Sequence, residues 1–268
     1  MPFTIIQPAY VDPAAEIADG VYIGPFCVIG PGVKIGRGTR LENNITIMGR
    51  VTIGEGNRIF PNVVIGAEPQ DISYRGSETR VEIGDRNILR EGVTINRATE
   101  KEEGVTSLGN DNFLMANSHV AHDCRLGNHI IIANGTLLGG HVHVHDHAAL
   151  SGSTAVHHYV TLGSYSFTAG ISRVIQDVPP YMLAEGTPAR PRCVNNVALK
   201  RNNFSREAIH ALHEAHRLLY RNVIGLEATR QQLTERGLLT VEVLRLLDFL
   251  SNSHTGHYGR SHDRRHAA

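Results

Sequence analysis

The sequence predicts a mainly β chain: a parallel β-helix of short strands, closed at its C-terminal end by a small α-helical domain. Three observations carry this. An aliphatic beat recurs every sixth residue, two polar interruptions break the beat and let it resume, and amphipathic helical patterning replaces it beyond residue 190.

The beat opens with Val11, Ile17, Ile23, Ile29, Ile35, Leu41, Ile47, Ile53, Ile59 and Ile65, six apart without a miss. A second small or branched residue stands two positions earlier, as in Val21, Cys27, Val33, Ile45, Val51 and Val63. Glycine follows at Gly24, Gly30, Gly36, Gly54 and Gly66, where it suits a corner. Six is neither a helical period nor a simple alternation. It is two pleats of a short strand plus a corner, so three hexads make one coil. Residues eighteen apart then stack at an inter-strand spacing of about 4.8 Å. Each buried aliphatic contributes about 1.5–3 kcal/mol, repeated along the axis.

Asp71 and Ser77 fall where aliphatics are due, inside a polar stretch near 67–80, and the beat returns at Ile83, Leu89 and Ile95. Seven residues are extra before Leu108, within a second stretch at 97–106. Both read as loops thrown out from a rigid wall, a common seat of function. From Leu108 the register runs unbroken to Val174, which brings the prism to about eight coils. Gly186, Pro188 and Pro191 mark its end, so the β-helix domain is assigned to residues 1–190. A helical domain spans 191–254: a short helix over 195–201, an amphipathic segment over 206–221 capped by Ser205, then 226–236 and 241–250. The polar tail, 255–268, is expected to be disordered.

Basic and acidic residues balance at 26 each, so no overall field favours nucleic acid or a membrane surface. No apolar run approaches a membrane span and no secretory leader opens the chain, so a cytoplasmic protein without stable membrane insertion is expected. Cys27, Cys124 and Cys193 have no paired spacing, which argues against a disulfide framework or a zinc ribbon.

Stacking arithmetic singles out one corner. His122, Gly140 and His158 are eighteen apart and form a column; Asp123, His141 and Tyr159 form the next, with His119 and His157 at the same edge. Histidine has the near-neutral pKa that a general base needs. Gly140 lets a reacting group approach its backbone N–H, and Asp123 is placed to orient an imidazole, although sequence does not fix its reach to His122. No serine or cysteine has the neighbours of a nucleophile, and Cys124 falls on an inward position. Direct, base-assisted attack by a substrate hydroxyl is therefore favoured over a covalent intermediate.

Several segments, with the hexapeptide prism, resemble the UDP-N-acetylglucosamine O-acyltransferases, the hexapeptide-repeat family that begins lipid A synthesis. They are Gln70-Asp71-Ile72-Ser73-Tyr74, His119-Val120-Ala121-His122-Asp123-Cys124, Gly139-Gly140-His141-Val142 and Gln176-Asp177-Val178-Pro179-Pro180-Tyr181. Val194-Asn195 with Leu199-Lys200-Arg201, and Phe204-Ser205-Arg206, extend the likeness to roughly residues 8–222. The resemblance implies a left-handed β-helix, a homotrimer with sites between neighbouring prisms, and transfer of a 3-hydroxyacyl chain from acyl carrier protein to the glucosamine 3-hydroxyl of UDP-N-acetylglucosamine. It implies His122 as base, Asp123 as its support and the Gly140 N–H as oxyanion donor. Asp71, His119, His141 and His158 would hold the sugar nucleotide, and Asn195 and Arg201 its diphosphate end or the carrier's phosphopantetheine. Gly170 would set acyl length. Lys200, Arg201, Arg206, Arg217 and Arg221 would face the acidic carrier. No cofactor and no metal is implied. Ser73 stands where the family usually has lysine, His158 where it has glutamine, and Ala198 where it has glycine.

Two alternatives remain at this level. One is the related N-acyltransferase, which carries an additional N-terminal domain; the other is a trimeric metal lyase of the γ-carbonic anhydrase type, with His119, His122 and His141 as ligands.

Overall fold

A computed structural model describes residues 2–263. Twenty-six short strands between Thr4 and Val174 wind into a three-sided prism. Face A holds eleven strands, including a closing hairpin; face B holds nine and face C eight. Every coil-to-coil pairing is parallel, and the predicted register holds: His119 lies beside Leu137 and Leu137 beside Ala155 on face B. The beat residues point inward, and Ile23, Ile47, Ile65, Leu114 and Ile132 are fully buried. The first loop leaves between the strands Val64–Ala67 and Arg80–Ile83. The second leaves between Thr94–Asn96 and Val105–Leu108. Pairing resumes in register beyond each, Ile65 beside Ile95 and Ile95 beside Val120.

Three features of the prism differ from the sequence reading. The coil begins one hexad before Val11, because the strand Thr4–Ile5 pairs with Tyr22–Ile23. Its signal is weak since Phe3, two before the beat, is exposed rather than small and inward. Inside the prism, Asn57, Asn87 and Asn112 replace the usual branched residue two before the beat. They form a buried ladder: Asn57 Oδ1 accepts from Asn87 N (2.9 Å), and Asn87 Oδ1 from Asn112 N (2.9 Å). Each amide is satisfied, so the polar groups are held without an unpaired cost. Third, the hairpin Met182–Gly186 with Ala189–Val194 runs across residue 190, where proline and glycine suggested a boundary.

The helices are α1 (Asn196–Arg201), α2 (Arg206–His216), α3 (Leu226–Glu235) and α4 (Val241–Thr255), with a π-helical turn at Arg217–Arg221 after α2. Ser205 and Thr240 cap α2 and α4 as N-cap side chains. Leu199, Leu212, Leu233 and Leu246 pack with Tyr181 and Met182 in a second core. Among the described residues no helix is long and apolar enough to cross a membrane.

The expectation of a disordered tail does not hold for 255–263; residues 264–268 lie outside the described part. The tail folds back on the last coil. Arg260 and Asp263 form a buried ion pair at 2.7 Å, Ser261 N donates to Asp177 Oδ2 (2.7 Å), and Asp177 N donates to Gly259 O (2.8 Å). A polar composition concealed this because the partners are polar too. The His262 ring stacks on His143 at 4.0 Å.

Candidate active site

The corner between faces B and C follows the strand His119–Val120, and its residues repeat eighteen apart. His141 N donates to His122 O (3.0 Å) and Tyr159 N to Gly140 O (3.1 Å), so the predicted columns exist. Asp123, His141 and Tyr159 take the left-handed backbone conformation (φ 60°, 62° and 63°) that turns the chain here. The His141 and Tyr159 rings stack at 4.3 Å, and His122 meets His141 edge-on at 5.2 Å.

His122 Nδ1 lies 2.8 Å from Asp123 Oδ2, which fixes the ring and leaves Nε2 as its other nitrogen. Asp123 is 1% exposed and is held from the second loop, accepting from Thr99 N (3.1 Å) and Thr99 Oγ1 (2.7 Å). Burial pushes its carboxyl up, but the bonds from His122 and Thr99 outweigh burial and hold it below its ordinary value. A Cβ on Gly140 would fall 2.4 Å from His122 Cε1 and 2.6 Å from Nε2, so only glycine lets this imidazole lie against the backbone of the next coil.

The Gly140 N–H has a particular setting. On the corner between faces C and A, a ladder of Asp85, Asn110, Asn128 and Asp146 accepts from the equivalent amides, as in Asn110 N to Asn128 Oδ1 (2.8 Å). On such a ladder the acceptor for the Gly140 N–H would come from position 158, where a histidine replaces the Asp or Asn, and among the described residues this N–H pairs with no acceptor. Donor and imidazole thus face the same space.

That space is a cleft of about 490 Å³, lined by Asp71, Lys101, His119, His122, His141 and His158 among others. Asp71 accepts from Ser73 N (2.8 Å), Ser73 Oγ (2.7 Å) and Lys101 Nζ (2.5 Å), and these bonds, Lys101 foremost, hold it well below the usual carboxylate range. His119 Nδ1 pairs with Thr94 Oγ1 at 2.7 Å; burial, then the nearby His122, pushes its pKa down. His141 Nδ1 lies 2.8 Å from Glu102 Oε1, a bond that holds Glu102 below its ordinary pKa. Cys124 is buried, and burial pushes its thiol up to about 12, far from a nucleophile's range.

Residues 177–258 match the family described as Udp N-acetylglucosamine O-acyltransferase, Domain 2; residues 106–140 match bacterial transferase hexapeptide repeats, and 5–71 a GMPPB C-terminal domain. The acyl-[acyl-carrier-protein]–UDP-N-acetylglucosamine O-acyltransferase of Thermodesulfovibrio yellowstonii is 43% identical over 252 residues, covering 94% of this chain and 98% of its own. The chain belongs to the UDP-N-acetylglucosamine O-acyltransferase family.

Two solved structures agree. The Bacteroides fragilis UDP-N-acetylglucosamine acyltransferase superposes with a TM-score of 0.89 at 37% identity, covering 93% of this chain and 97% of its own. The Francisella novicida enzyme gives 0.87 at 38%, covering 92% and 91%. As a UDP-N-acetylglucosamine O-acyltransferase family member, the chain has the left-handed parallel β-helix with a C-terminal helical region, and is an acyltransferase.

Of the residues singled out from sequence, Asp71, His119, His122, Gly140, His141 and His158 line one cleft, and Asp123 stands directly behind His122. Asn195 and Arg201 do not join it. They border a second groove of about 500 Å³ on face A, with Ile131, Ala149, Phe167 and Leu183. The Asn195 side chain already caps α1, accepting from Ala198 N (3.3 Å) and donating to Tyr165 O (2.8 Å). Gly170 is exposed at the far edge of face B and is outside the cleft's lining. Of the basic residues assigned to the carrier, Arg217 is bonded to Glu214 at 2.6 Å, while Lys200, Arg201 and Arg206 are exposed. Thr99, Lys101 and Glu102 were not legible from sequence. Their loop lies outside the hexad register, so stacking arithmetic cannot place them.

Three ligand-type atoms, from His122, Asp123 and His141, lie within 4.8 Å of one another, and His119 is not among them. The trio is therefore not the three-histidine set of a γ-type lyase. Each imidazole already has its Nδ1 beside a carboxylate, giving two carboxylate–imidazole pairs.

Proposed function

We propose that the protein moves a 3-hydroxyacyl chain from acyl carrier protein to the glucosamine 3-hydroxyl of UDP-N-acetylglucosamine, the first step of lipid A biosynthesis, in the cytoplasm. His122 Nε2 takes the hydroxyl proton as the oxygen attacks the thioester carbonyl. The Gly140 N–H meets the developing oxyanion, and collapse expels the phosphopantetheine thiolate. Asp123 keeps His122 in the required tautomer and stabilises the imidazolium. No resident cofactor is needed, because the thioester carries its own activation. The observation that carries this reading is the pairing of a carboxylate-backed imidazole with a glycine N–H one coil away, with no side chain between them. Asp71, His119, His141 and His158 then hold the sugar nucleotide, and Gly170 limits the acyl chain.

The reading includes a homotrimer. The outward residues of face B run Tyr10, Val28, Thr46, Val64, Thr94, His119, Leu137 and Ala155, uncharged until the last strand brings Arg173. Face A is apolar over Ile88, Phe113, Ile131, Ala149 and Phe167. Face C instead carries ion pairs such as Lys34–Glu16 (2.8 Å) and Arg80–Glu82 (2.6 Å), which suits water. Packing face A of one copy on face B of the next would cover both apolar faces and close into a ring of three. It would also carry Asn195 and Arg201 toward a neighbour's cleft.

His122→Ala tests the reading. In mass photometry both parent and variant should give three subunits, and UDP-sugar affinity should persist while kcat falls by about 10²–10⁴-fold. A near-normal kcat in the variant trimer puts the base elsewhere, and an active monomer removes the shared site.

A further inference from the structure

Lys101 has no part in the column, yet its ammonium reaches the cleft from the second loop. It lies 2.5 Å from Asp71 Oδ2, and its side chain keeps 42% of its exposure. Among the described residues it is the only lysine or arginine in the cleft's lining. The acidic groups around it are Asp71 on the facing loop, with Asp123 and Glu102 behind the two imidazoles. A phosphorylated substrate would meet carboxylates on several sides and one permanent cation. Arg97, at the start of the same loop, bonds Gly66 O (3.0 Å) and Glu68 (3.0 Å), and Arg125 bonds Glu103 (3.1 Å).

The geometry points to Lys101 as a further substrate-binding residue, holding a phosphoryl oxygen of the molecule that enters the cleft. An ammonium has three N–H donors. Asp71 occupies one, so two remain for an anion while the ion pair still ties the two loops together. The inference rests on the acyltransferase reading, whose two substrates both carry the required chemistry: the diphosphate of the sugar nucleotide and the phosphodiester of phosphopantetheine. A charge-assisted bond in a partly enclosed cleft is worth about tenfold or more in affinity.

The experiment compares full-length parent, Lys101→Met and Lys101→Arg by calorimetry at two salt concentrations, with four probes: UDP, uridine, acyl-phosphopantetheine and acyl-pantetheine. We expect Lys101→Met to weaken one phosphorylated probe about tenfold or more and to flatten its salt dependence, with Lys101→Arg largely restoring both. Loss confined to UDP assigns the contact to the nucleotide, and loss confined to acyl-phosphopantetheine assigns it to the carrier's arm. Unchanged affinity for both phosphorylated probes overturns the proposal. So does an equal loss for probes with and without phosphate, because that is the signature of a loop latch alone. Acyl transfer by the parent is measured on the same samples: an active parent with an unaffected Lys101→Met refutes only the lysine's role, whereas an inactive parent refutes the reaction.

Discussion

At the scale of single residues, two glycines do opposite things. Gly140 stands where a Cβ would collide with three atoms of the His122 ring, the nearest at 2.4 Å. Gly170 leaves room: its Cβ would meet Gly152 O at 3.3 Å and Ser151 Oγ at 3.4 Å, which a small shift relieves. Gly140→Ala must therefore swing the imidazole away and break its 2.8 Å bond to Asp123. Its kcat should fall about a hundredfold or more with donors of every length. Gly170→Met should keep its kcat with short donors and lose activity toward long ones. A donor series assayed on both variants checks the pair, and a Gly140→Ala enzyme with parental kcat would show that His122 does not need this seat. The column itself was legible because period eighteen is set by the backbone. Asn195 has a second use that the motif did not reveal, since its side chain caps α1.

At the scale of elements, the strands were the easiest to read and the attachments the hardest. Strand positions follow from an inward aliphatic every six residues, but the second loop and the tail obey no such period, and their bonds run to residues far away in sequence. Thr99 reaches Asp123, Glu102 reaches His141, and His262 reaches His141 O at 2.7 Å. The tail covers His143, whose Nε2 is buried without a hydrogen-bond partner among the described residues. Burial first, then repulsion from His262 and Arg125, pushes the His143 pKa down to about 3, with Glu102 opposing and His145 adding to the repulsion. An unfolded histidine titrates near 6.5. The unfolded chain therefore binds a proton that the folded one refuses, and stability drops as pH falls from about 6.5 toward 3. His119, His145 and His147 are pushed down by burial and add to the same slope. Carboxylates held low by partners, such as Asp123 and Glu102, lose their contribution only below about pH 4, while burial pushes Asp177 up and sets it against the histidine slope, so the comparison of parent with a His143 variant from about pH 6.5 to 4.5 isolates His143. Urea midpoints over that range should fall for the parent and fall less steeply for His143→Gln. Parallel curves would mean that His143 is protonated in the folded state.

At the scale of the whole molecule, the prism works as a ruler on which two side loops and a folded-back tail are mounted. Its faces divide the labour: face C is charged, faces A and B are apolar over much of their height, and the candidate site opens at the corner between B and C. Imidazole, carboxylate and glycine amide converge at that one corner. The central claim is that this corner makes an ester at a sugar hydroxyl. The most direct test is tandem mass spectrometry of the product formed from UDP-N-acetylglucosamine and a 3-hydroxyacyl carrier. The account predicts a sugar nucleotide heavier by one 3-hydroxyacyl group, carried as an ester on the glucosamine 3-oxygen. An amide product, an acyl group at another oxygen, or an unmodified sugar nucleotide beside consumed donor would contradict it.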